Sequence, residues 1–364
     1  MSKARVVLLF GGRSSEHSIS CATAAGVLGA IDRTKYDVIP VGITKQGVFV
    51  PAIDDPAHWA LRKGELATVE FSGSTIEFAL DGSRGLTEVA SNGTRTSLGK
   101  VDLVFPLLHG PFGEDGTIQG FLELAGVPYV GNGVFASAAG MDKEFTKALF
   151  QAAGVPVTPH VVIREERWAR DPESALEEVR GLGGLPVFVK PARAGSSVGV
   201  SKVKTWDDFG DAVALAFEHD TKLVVEFGLV GREVECAVLS SFDGKAPRVS
   251  VAGEIVVSGR EFYDFDAKYQ DEDSVDLIVP AVMSEDQLAE MQTIARRAFA
   301  ALGCEGLGRV DFFLTAQGFF VNEINTMPGF TPLSMFPSLW QASGIAYPAL
   351  IDELIALALA KTAS

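Results

Sequence analysis

Two neighbouring stretches late in the chain carry charged residues where a buried sheet would place apolar ones. They are Gly308-Arg309-Val310-Asp311-Phe312-Phe313-Leu314 and Phe319-Phe320-Val321-Asn322-Glu323-Ile324-Asn325. Strand side chains alternate between faces, so Arg309, Asp311 and Phe313 are expected on one side, as are Val321, Glu323 and Asn325. A three-residue hairpin loop, Ala316-Gln317-Gly318, ends in the glycine that a type I turn with a bulge requires. That register sets Asp311 opposite Glu323 and Arg309 opposite Asn325. Two carboxylates and an amide on one sheet face are hard oxygen donors suited to Mg²⁺, which commonly takes one or two carboxylates together with substrate phosphates. A plainer reading pairs Arg309 with Asp311 and Glu323 on a solvated face. Facing acids, however, destabilise a hairpin unless something positive lies between them. The run that follows, Thr326-Met327-Pro328-Gly329-Phe330-Thr331-Pro332, is turn-rich and can present backbone N–H groups to a ligand.

A second candidate is Phe188-Val189-Lys190-Pro191-Ala192-Arg193-Ala194-Gly195-Ser196-Ser197-Val198-Gly199-Val200. Small residues let backbone N–H groups and hydroxyls approach phosphate oxygens without obstruction. No Gly-Lys-Ser/Thr follows the glycines, so this is not a Walker A loop. Taken alone it also reads as a flexible hairpin. Lys190, a long cation at the end of an apolar strand beside the loop, favours the phosphate reading, and Lys143 can supply a second positive group. The early turn Gly11-Gly12-Arg13-Ser14-Ser15-Glu16-His17 lacks the Gly-x-Gly-x-x-Gly spacing of a dinucleotide site. It still sets Glu16 at the carboxyl edge of a parallel sheet, where such sheets bind ligands. His109 ends a later strand and is expected on the same edge.

These residues need elements to hold them. Residues 5–10 form a continuous apolar run suited to a buried parallel strand, and 20–31 have helical composition. Residues 38–43, 101–107 and 127–130 are further strand candidates, with a short helix at 117–125 and a polar insertion between 43 and 101. Residues 136–153 read as one helix with Phe145, Leu149 and Ala152 at helical spacing and Lys143 and Lys147 one turn apart. Strands at 186–191 and 198–203 flank the Gly/Ser loop, and an amphipathic helix spans 206–219. Strands at 223–226 and 233–239 open a mostly antiparallel region. It is interrupted by an acidic loop near 258–274 and a long helix at 284–302. Changes of character near 133 and 220 suggest three units.

With 364 residues, 47% of them hydrophobic and 21% charged, the chain has the composition of a globular protein of two or three domains. Its net charge is −16 and no basic run stands out, which argues against nucleic acid as a partner. An anionic substrate would need local lysines and arginines set against that field. Cys21, Cys236 and Cys304 are odd in number and far apart, as in a cytoplasmic protein with reduced, mostly buried thiols. No segment approaches the ~20 apolar residues of a membrane span.

Assembled, these motifs closely resemble the D-alanine:D-alanine ligases of the ATP-grasp superfamily over nearly the whole chain. The resemblance runs from Gly11-Gly12-x-Ser14-x-Glu16 through His109-Gly110-x3-Glu114-Asp115-Gly116, Met141-Asp142-Lys143, Val189-Lys190-Pro191 and Gly195-Ser196-Ser197-x-Gly199. It continues through Tyr263-Asp264-x3-Lys268-Tyr269, Gly308-Arg309-x-Asp311 and Glu323-x-Asn325-Thr326-x-Pro328-Gly329. Each piece is weak alone; their joint order and spacing are specific.

The resemblance implies a mixed α/β and α+β, three-domain ATP-grasp fold. An N-terminal Rossmann-like parallel-sheet unit (1–133) would bind substrate, a central unit (134–220) would carry the phosphate loop, and a C-terminal unit (221–364) the metal site and a lid loop. It further implies that Asp311, Glu323 and Asn325 hold two Mg²⁺ or Mn²⁺ ions. Lys143, Lys190 and Ser197 would contact the ATP phosphates. Glu226, Phe227, Leu229, Glu233, Lys268, Phe313 and Asn322 would line the rest of the nucleotide site. Some relatives carry a basic residue where this chain has Phe227.

By the same resemblance, the carboxylate of one D-alanine attacks the γ-phosphate, and the resulting acyl phosphate meets the amine of a second D-alanine. Glu16 and His109 would serve the first substrate, Arg309 and the Gly329 N–H the oxyanion, and Ser334 and Met335 the second carboxylate. Met335 stands where a leucine is common. Tyr269, in the lid, would reach Ser196 and Glu16. The base that deprotonates the second amine is not evident. A homodimer is implied by the family alone. The closest alternative is a D-alanine:D-lactate or D-alanine:D-serine ligase on the same fold; a non-catalytic nucleotide-binding protein would not need the intact metal triad and both lysines.

Overall fold

The apolar run at the start of the chain forms the strand expected of it, buried between two parallel neighbours in its sheet. The structure is a computed structural model that describes residues 3–61, 67–242, 244–257 and 275–361. Strand β1 (Ala4–Gly11) is followed by helix α1 (His17–Ala30), β2 (Tyr36–Ile43), β3 (Phe49–Pro51) and the short α2 (Pro56–Trp59). Then come β4 (Ser74–Phe78), β5 (Gly85–Ala90), β6 (Arg95–Lys100), β7 (Leu103–Pro106) and α3 (Thr117–Leu124). The first sheet has the order β3-β2-β1-β7, with β1 parallel to both neighbours and the outer strand β3 antiparallel to β2. Gly11 closes β1 at φ +91°, and a Cβ there would lie 2.4 Å from the Ile43 carbonyl oxygen, so only glycine lets the chain turn so close to β2.

The polar insertion is a folded antiparallel sheet, β4-β5-β6, rather than a loop. The expected strand at 127–130 is reduced to a single bridge between Val104 and Tyr129.

Residues 136–153 are two helices, not one: α4 (Val134–Met141) and α5 (Lys143–Ala152). Asp142 breaks them apart, because its carboxylate caps the second by accepting from the backbone N–H of Glu144 at 3.1 Å and Phe145 at 3.4 Å. The buried face of α5 is also not the expected one. Thr146, Lys147 and Phe150 point inward, and Phe145 is exposed.

A second sheet is built from β8 (His160–Arg164), β9 (Val187–Pro191), β10 (Ser201–Val203) and β11 (Lys222–Phe227), in the order β10-β9-β11-β8. Helices α6 (Glu165–Arg170), α7 (Pro172–Arg180) and α8 (Phe209–Phe217) accompany it, and residues of α7 and α8 share its apolar core. The strand after the Gly/Ser loop begins at Ser201, three residues later than expected.

The third sheet has five strands, β14-β13-β12-β15-β16, comprising β12 (Arg232–Leu239), β13 (Arg248–Val257), β14 (Val275–Ile278), β15 (Leu307–Thr315) and β16 (Gly318–Asn325). Helix α9 (Glu285–Ala301) packs on its apolar face. It starts in a capping box, in which the Gln287 N–H donates to Ser284 Oγ and the Ser284 N–H donates to Gln287 Oε1.

Two last helices, α10 (Met335–Ala342) and α11 (Tyr347–Ala360), return to the first sheet. Phe336, Leu350, Ile351 and Leu354 share one core with Val6, Leu8 and Phe10 of β1. That shared core ties the chain's two ends together. All three cysteines are buried free thiols. Among the described residues, no single helix is long and apolar enough to cross a membrane.

Candidate active site

The β15–β16 hairpin pairs Asp311 with Glu323 and Arg309 with Asn325, the register expected from the sequence. The device that sets it is different. Thr315 pairs with Gly318, so the turn itself holds two residues, and the extra residue lies further along, where the register shifts between Asp311 and Phe312. Phe312 faces Val321 and Asp311 faces Glu323, leaving Asn322 as the bulge. The alternation of β16 is therefore interrupted. Val321 turns into the apolar core instead of sharing a face with Glu323 and Asn325. Asn322 instead reaches the functional side.

Across the sheet, β12 contributes Glu233 opposite Phe313 and Glu235 opposite Asp311. Arg309 donates to both oxygens of Asp311 at 2.7 Å and lies 2.8 Å from Glu235. The Asn325 amide N–H donates to Asp311 at 2.9 Å. The plainer pairing of Arg309 with Asp311 is thus present, but Arg309 takes Glu235 as its second close acid. Burial works against the Arg309 charge, and Asp311 and Glu235 outweigh it, so the guanidinium stays ionised. Asp311, Glu323 and Asn325 bring hard oxygen donors to adjoining positions on one sheet face, with no sulfur or imidazole among them. That donor chemistry fits a divalent cation of the Mg²⁺ class.

Asn322 Oδ1 accepts from Lys190 Nζ at 3.3 Å, and Lys190 also pairs with Glu226 at 2.9 Å. The other oxygen of Glu226 lies 3.1 Å from Lys147, whose side chain is only 1% exposed. Burial opposes ionisation of Glu226, but Lys147 and Lys190 overcome it and hold its carboxyl at about 2. Burial lowers Lys147 itself, with Glu226 opposing. Lys143 donates to the carbonyl of Ala194, directly beside the Gly/Ser loop, at 2.8 Å. Lys143, Lys147 and Lys190 therefore gather in one place in a chain whose net charge is −16.

The loop is held in an uncommon form. Ser196 and Ser197 have φ of +48° and +58°, a region that non-glycine residues rarely enter. The Ser196 hydroxyl donates to Glu16, joining the loop to the edge of the first sheet. Glu16 lies at the N-terminus of α1, but its side chain makes no cap hydrogen bond and its carboxylate meets the loop instead. Beside it, the Ser14 hydroxyl donates to the His109 carbonyl at 2.7 Å. His109 Nε2 lies 3.1 Å from Thr23 Oγ1, and burial pushes its pKa down despite the Glu16 charge, so the imidazole is neutral.

Phe227, the last residue of β11, is half-buried with its N–H bonded to the Pro159 carbonyl at 2.9 Å, and Leu229, two residues on, is half-buried as well. After β16 the chain from Gly329 leads to Ser334, whose hydroxyl accepts from the Thr331 N–H at 3.0 Å. Ser334 stands at the N-terminus of α10. Met335 is 5% exposed and its side chain packs against Gly253. Lys268 and Tyr269 lie outside the described residues.

Some contributors were given no role in the sequence reading. Glu114 accepts from the Gly110 N–H at 2.6 Å, and burial, reinforced by Glu16, pushes its carboxyl up to about 8. Glu235 was legible only as the alternation Glu233-Val234-Glu235 in a strand. Lys147 was visible as a partner of Lys143, but nothing in the pattern marked it as buried.

Two models of the D-ala D-ala ligase family match the chain, the N-terminal one over residues 5–132 and the C-terminal one over 149–356. A D-alanine–D-alanine ligase of Pseudarthrobacter chlorophenolicus is 55% identical over 98% of this chain and 94% of its own length. One from Nocardia farcinica is 52% identical over 99% and 98%. Among solved structures, the D-alanine–D-alanine ligase from Coxiella burnetii superposes with a TM-score of 0.82 at 35% identity, covering 99% of this chain and 95% of the other. The VanG D-Ala:D-Ser ligase from Enterococcus faecalis gives 0.83 at 34%, covering 98% and 99%.

Proposed function

The chain belongs to the D-alanine–D-alanine ligase family, and from that premise we propose how its residues divide the work of joining two D-alanines at the expense of ATP. The reaction is ATP-dependent ligation to D-alanyl-D-alanine through a D-alanyl phosphate, a step of peptidoglycan synthesis, on an ATP-grasp fold. The full-length relatives at 50–55% identity are D-alanine–D-alanine ligases, whereas the D-Ala:D-Ser ligase is at 34%, so the other acceptors are not favoured.

In this reading Glu16 pairs with the ammonium of the first D-alanine, beside neutral His109. A carboxylate oxygen of that D-alanine attacks the γ-phosphorus; the new P–O bond forms as the bond from the γ-phosphorus to the β,γ-bridging oxygen breaks, and ADP departs. Lys143 and Lys190 hold the phosphate charge, and the Gly195–Gly199 loop, including Ser196 and Ser197, covers it. Asp311, Glu323 and Asn325 would hold Mg²⁺ or Mn²⁺, two ions by family resemblance, which when bound would neutralise the charge of the transferring phosphoryl group. Glu226, Phe227, Leu229, Glu233, Phe313 and Asn322 line the nucleotide, with Lys268 assigned there by resemblance.

The second D-alanine sets its carboxylate at the N-terminus of α10, against Ser334 and the Met335 backbone, where unsatisfied N–H groups favour an anion. Its amine attacks the acyl carbon and phosphate leaves. Arg309 and the Gly329 N–H stabilise the oxyanion formed in that step. Tyr269 is assigned to a lid over the site. The three units at 1–133, 134–220 and 221–364, the homodimer and the cytoplasmic location belong to this same reading.

The observation that carries the reading is the bulge at Asn322. It turns Asn322 toward Lys190 while Glu323 faces Asp311, and this juxtaposition supports reading Lys190 as the phosphate-binding ammonium beside metal-binding carboxylates. The test is product analysis with D-alanine, D-serine and D-lactate competing as acceptors between about pH 6 and 9, a range in which a tyrosine lid stays neutral. D-alanyl-D-alanine is the expected product. Abundant D-alanyl-D-lactate at the low end of that range would replace this assignment with the ester-forming one.

A further inference from the structure

We propose that Lys222 is a positioning residue for phosphate binding, fixing the turn that carries Lys143 against the phosphate loop. The inference rests on the reading of Lys143 as a phosphate-binding group. Lys222 opens β11 and its side chain is nearly buried. Its ammonium lies 2.8 and 2.6 Å from the two oxygens of Asp142 and 2.7 Å from Glu144. It thereby grips the residues on either side of Lys143. The ring of Phe145 covers the ammonium at 4.4 Å, which accounts for an exposed aromatic on a face where the sequence pattern expected core.

The backbone completes the clamp. The Ala192 N–H donates to the Lys222 carbonyl at 2.9 Å, and the Lys143 N–H donates to the Ala192 carbonyl at 2.9 Å. Side chain and main chain of Lys222 therefore hold the same turn from two directions. Lys143 is left with its own ammonium on the Ala194 carbonyl, at the entrance of the Gly/Ser loop. Arg164 adds a second cation to Glu144 at 2.9 Å. Burial works to raise the Glu144 carboxyl, and Lys222 and Arg164 outweigh it and keep the carboxyl below its ordinary range.

Ion clusters of this kind stabilise a fold little better than packed apolar residues do, but losing one partner leaves an uncompensated charge. Without Lys222, Asp142 and Glu144 repel each other across Lys143. The cap of α5 then relaxes, and the Lys143 ammonium loses its fixed place. The loss should fall on the part of the nucleotide that Lys143 touches and spare the rest.

The experiment measures equilibrium affinities of the full-length protein for ATP with Mg²⁺ and for adenosine, together with the D-alanine KM, in the wild type, Lys222→Met and Lys222→Gln. The expected result is an ATP affinity lowered roughly tenfold, with adenosine affinity and D-alanine KM within about twofold of the wild type, as for loss of one hydrogen-bonded charge. Lys222→Arg, which keeps the charge, should recover most of the ATP affinity. Unchanged ATP affinity, or equal losses for ATP and adenosine, would overturn the proposal. Should Lys222→Met fail to fold, Lys222→Gln retains donors for Asp142 and carries the comparison. A wild type that ligates D-alanine while Lys143→Met leaves ATP affinity untouched would instead overturn the role of Lys143, which separates the two failures.

Discussion

Ser196 donates its hydroxyl proton to Glu16, a residue 180 positions away, and this bond ties the Gly/Ser loop to the edge of the first sheet. The same carboxylate is assigned to the ammonium of the first D-alanine. On that assignment, loop placement and substrate recognition draw on one side chain.

Glu16→Gln tests that sharing. The amide cannot form the ion pair with an ammonium, and hydrogen bonds to charged groups are worth roughly 1.5–3 kcal/mol. The D-alanine KM of the first subsite should rise about 10- to 100-fold, with a much smaller change for ATP. Steady-state kinetics with each substrate varied decides it; equal weakening of both would make Glu16 a structural residue.

Lys190→Ala and Asp311→Asn should each abolish ligation while leaving the fold intact. Glu226 keeps Lys147 when Lys190 is removed, and Arg309 keeps Glu235 when Asp311 loses its charge. Circular dichroism and thermal melting check the fold. Normal turnover in either variant at saturating Mg²⁺ would dissolve the site assignment.

Part of this site was readable in the sequence and part was not. The facing of Asp311 and Glu323 followed from strand alternation and a short turn, and it is present. The bulge was assigned to the turn, because Gly318 looks like a bulge glycine; it lies at Asn322, where no local signal marks it. Periodicity put Phe145 inside and passed over Lys147, since an apolar-stripe argument cannot see a lysine buried by an ion pair with a distant strand. The sheet β4-β5-β6 was missed although Asn92-Gly93 joins two of its strands, because its residues are largely polar. The docking of α10 and α11 on the first sheet depends on contacts some 300 residues apart, which local pattern does not encode.

Gly199 has φ +70°, and a Cβ there would lie 2.5 Å from the His219 ring and 2.9 Å from Pro191. Gly199→Ala should therefore cost about 1–2 kcal/mol from the left-handed backbone alone, with the clash adding to it. The ATP KM should rise while the D-alanine KM changes little. Thermal melts paired with kinetics measure both effects, and an unaltered ATP KM would mean the loop does not cover the phosphates.

The Glu226 carboxyl, held at about 2 by two lysines against burial, lies well below the ordinary glutamate range. A depressed carboxyl contributes stability that is present above the unfolded value and lost as pH falls toward the folded one. Stability should accordingly decline between about pH 4.5 and 2 by more in the wild type than in Glu226→Gln. Denaturant unfolding at several pH values gives the slopes, and identical slopes would show that Lys147 and Lys190 do not hold Glu226 ionised.

The most direct measurement incubates the pure protein with ATP, Mg²⁺ and D-alanine and quantifies ADP, phosphate and dipeptide together. The account predicts that the three appear in equal amounts, that D-alanine is required for ADP release, and that L-alanine does not replace it. ATP consumed without D-alanyl-D-alanine, or dipeptide formed without ADP, would contradict it.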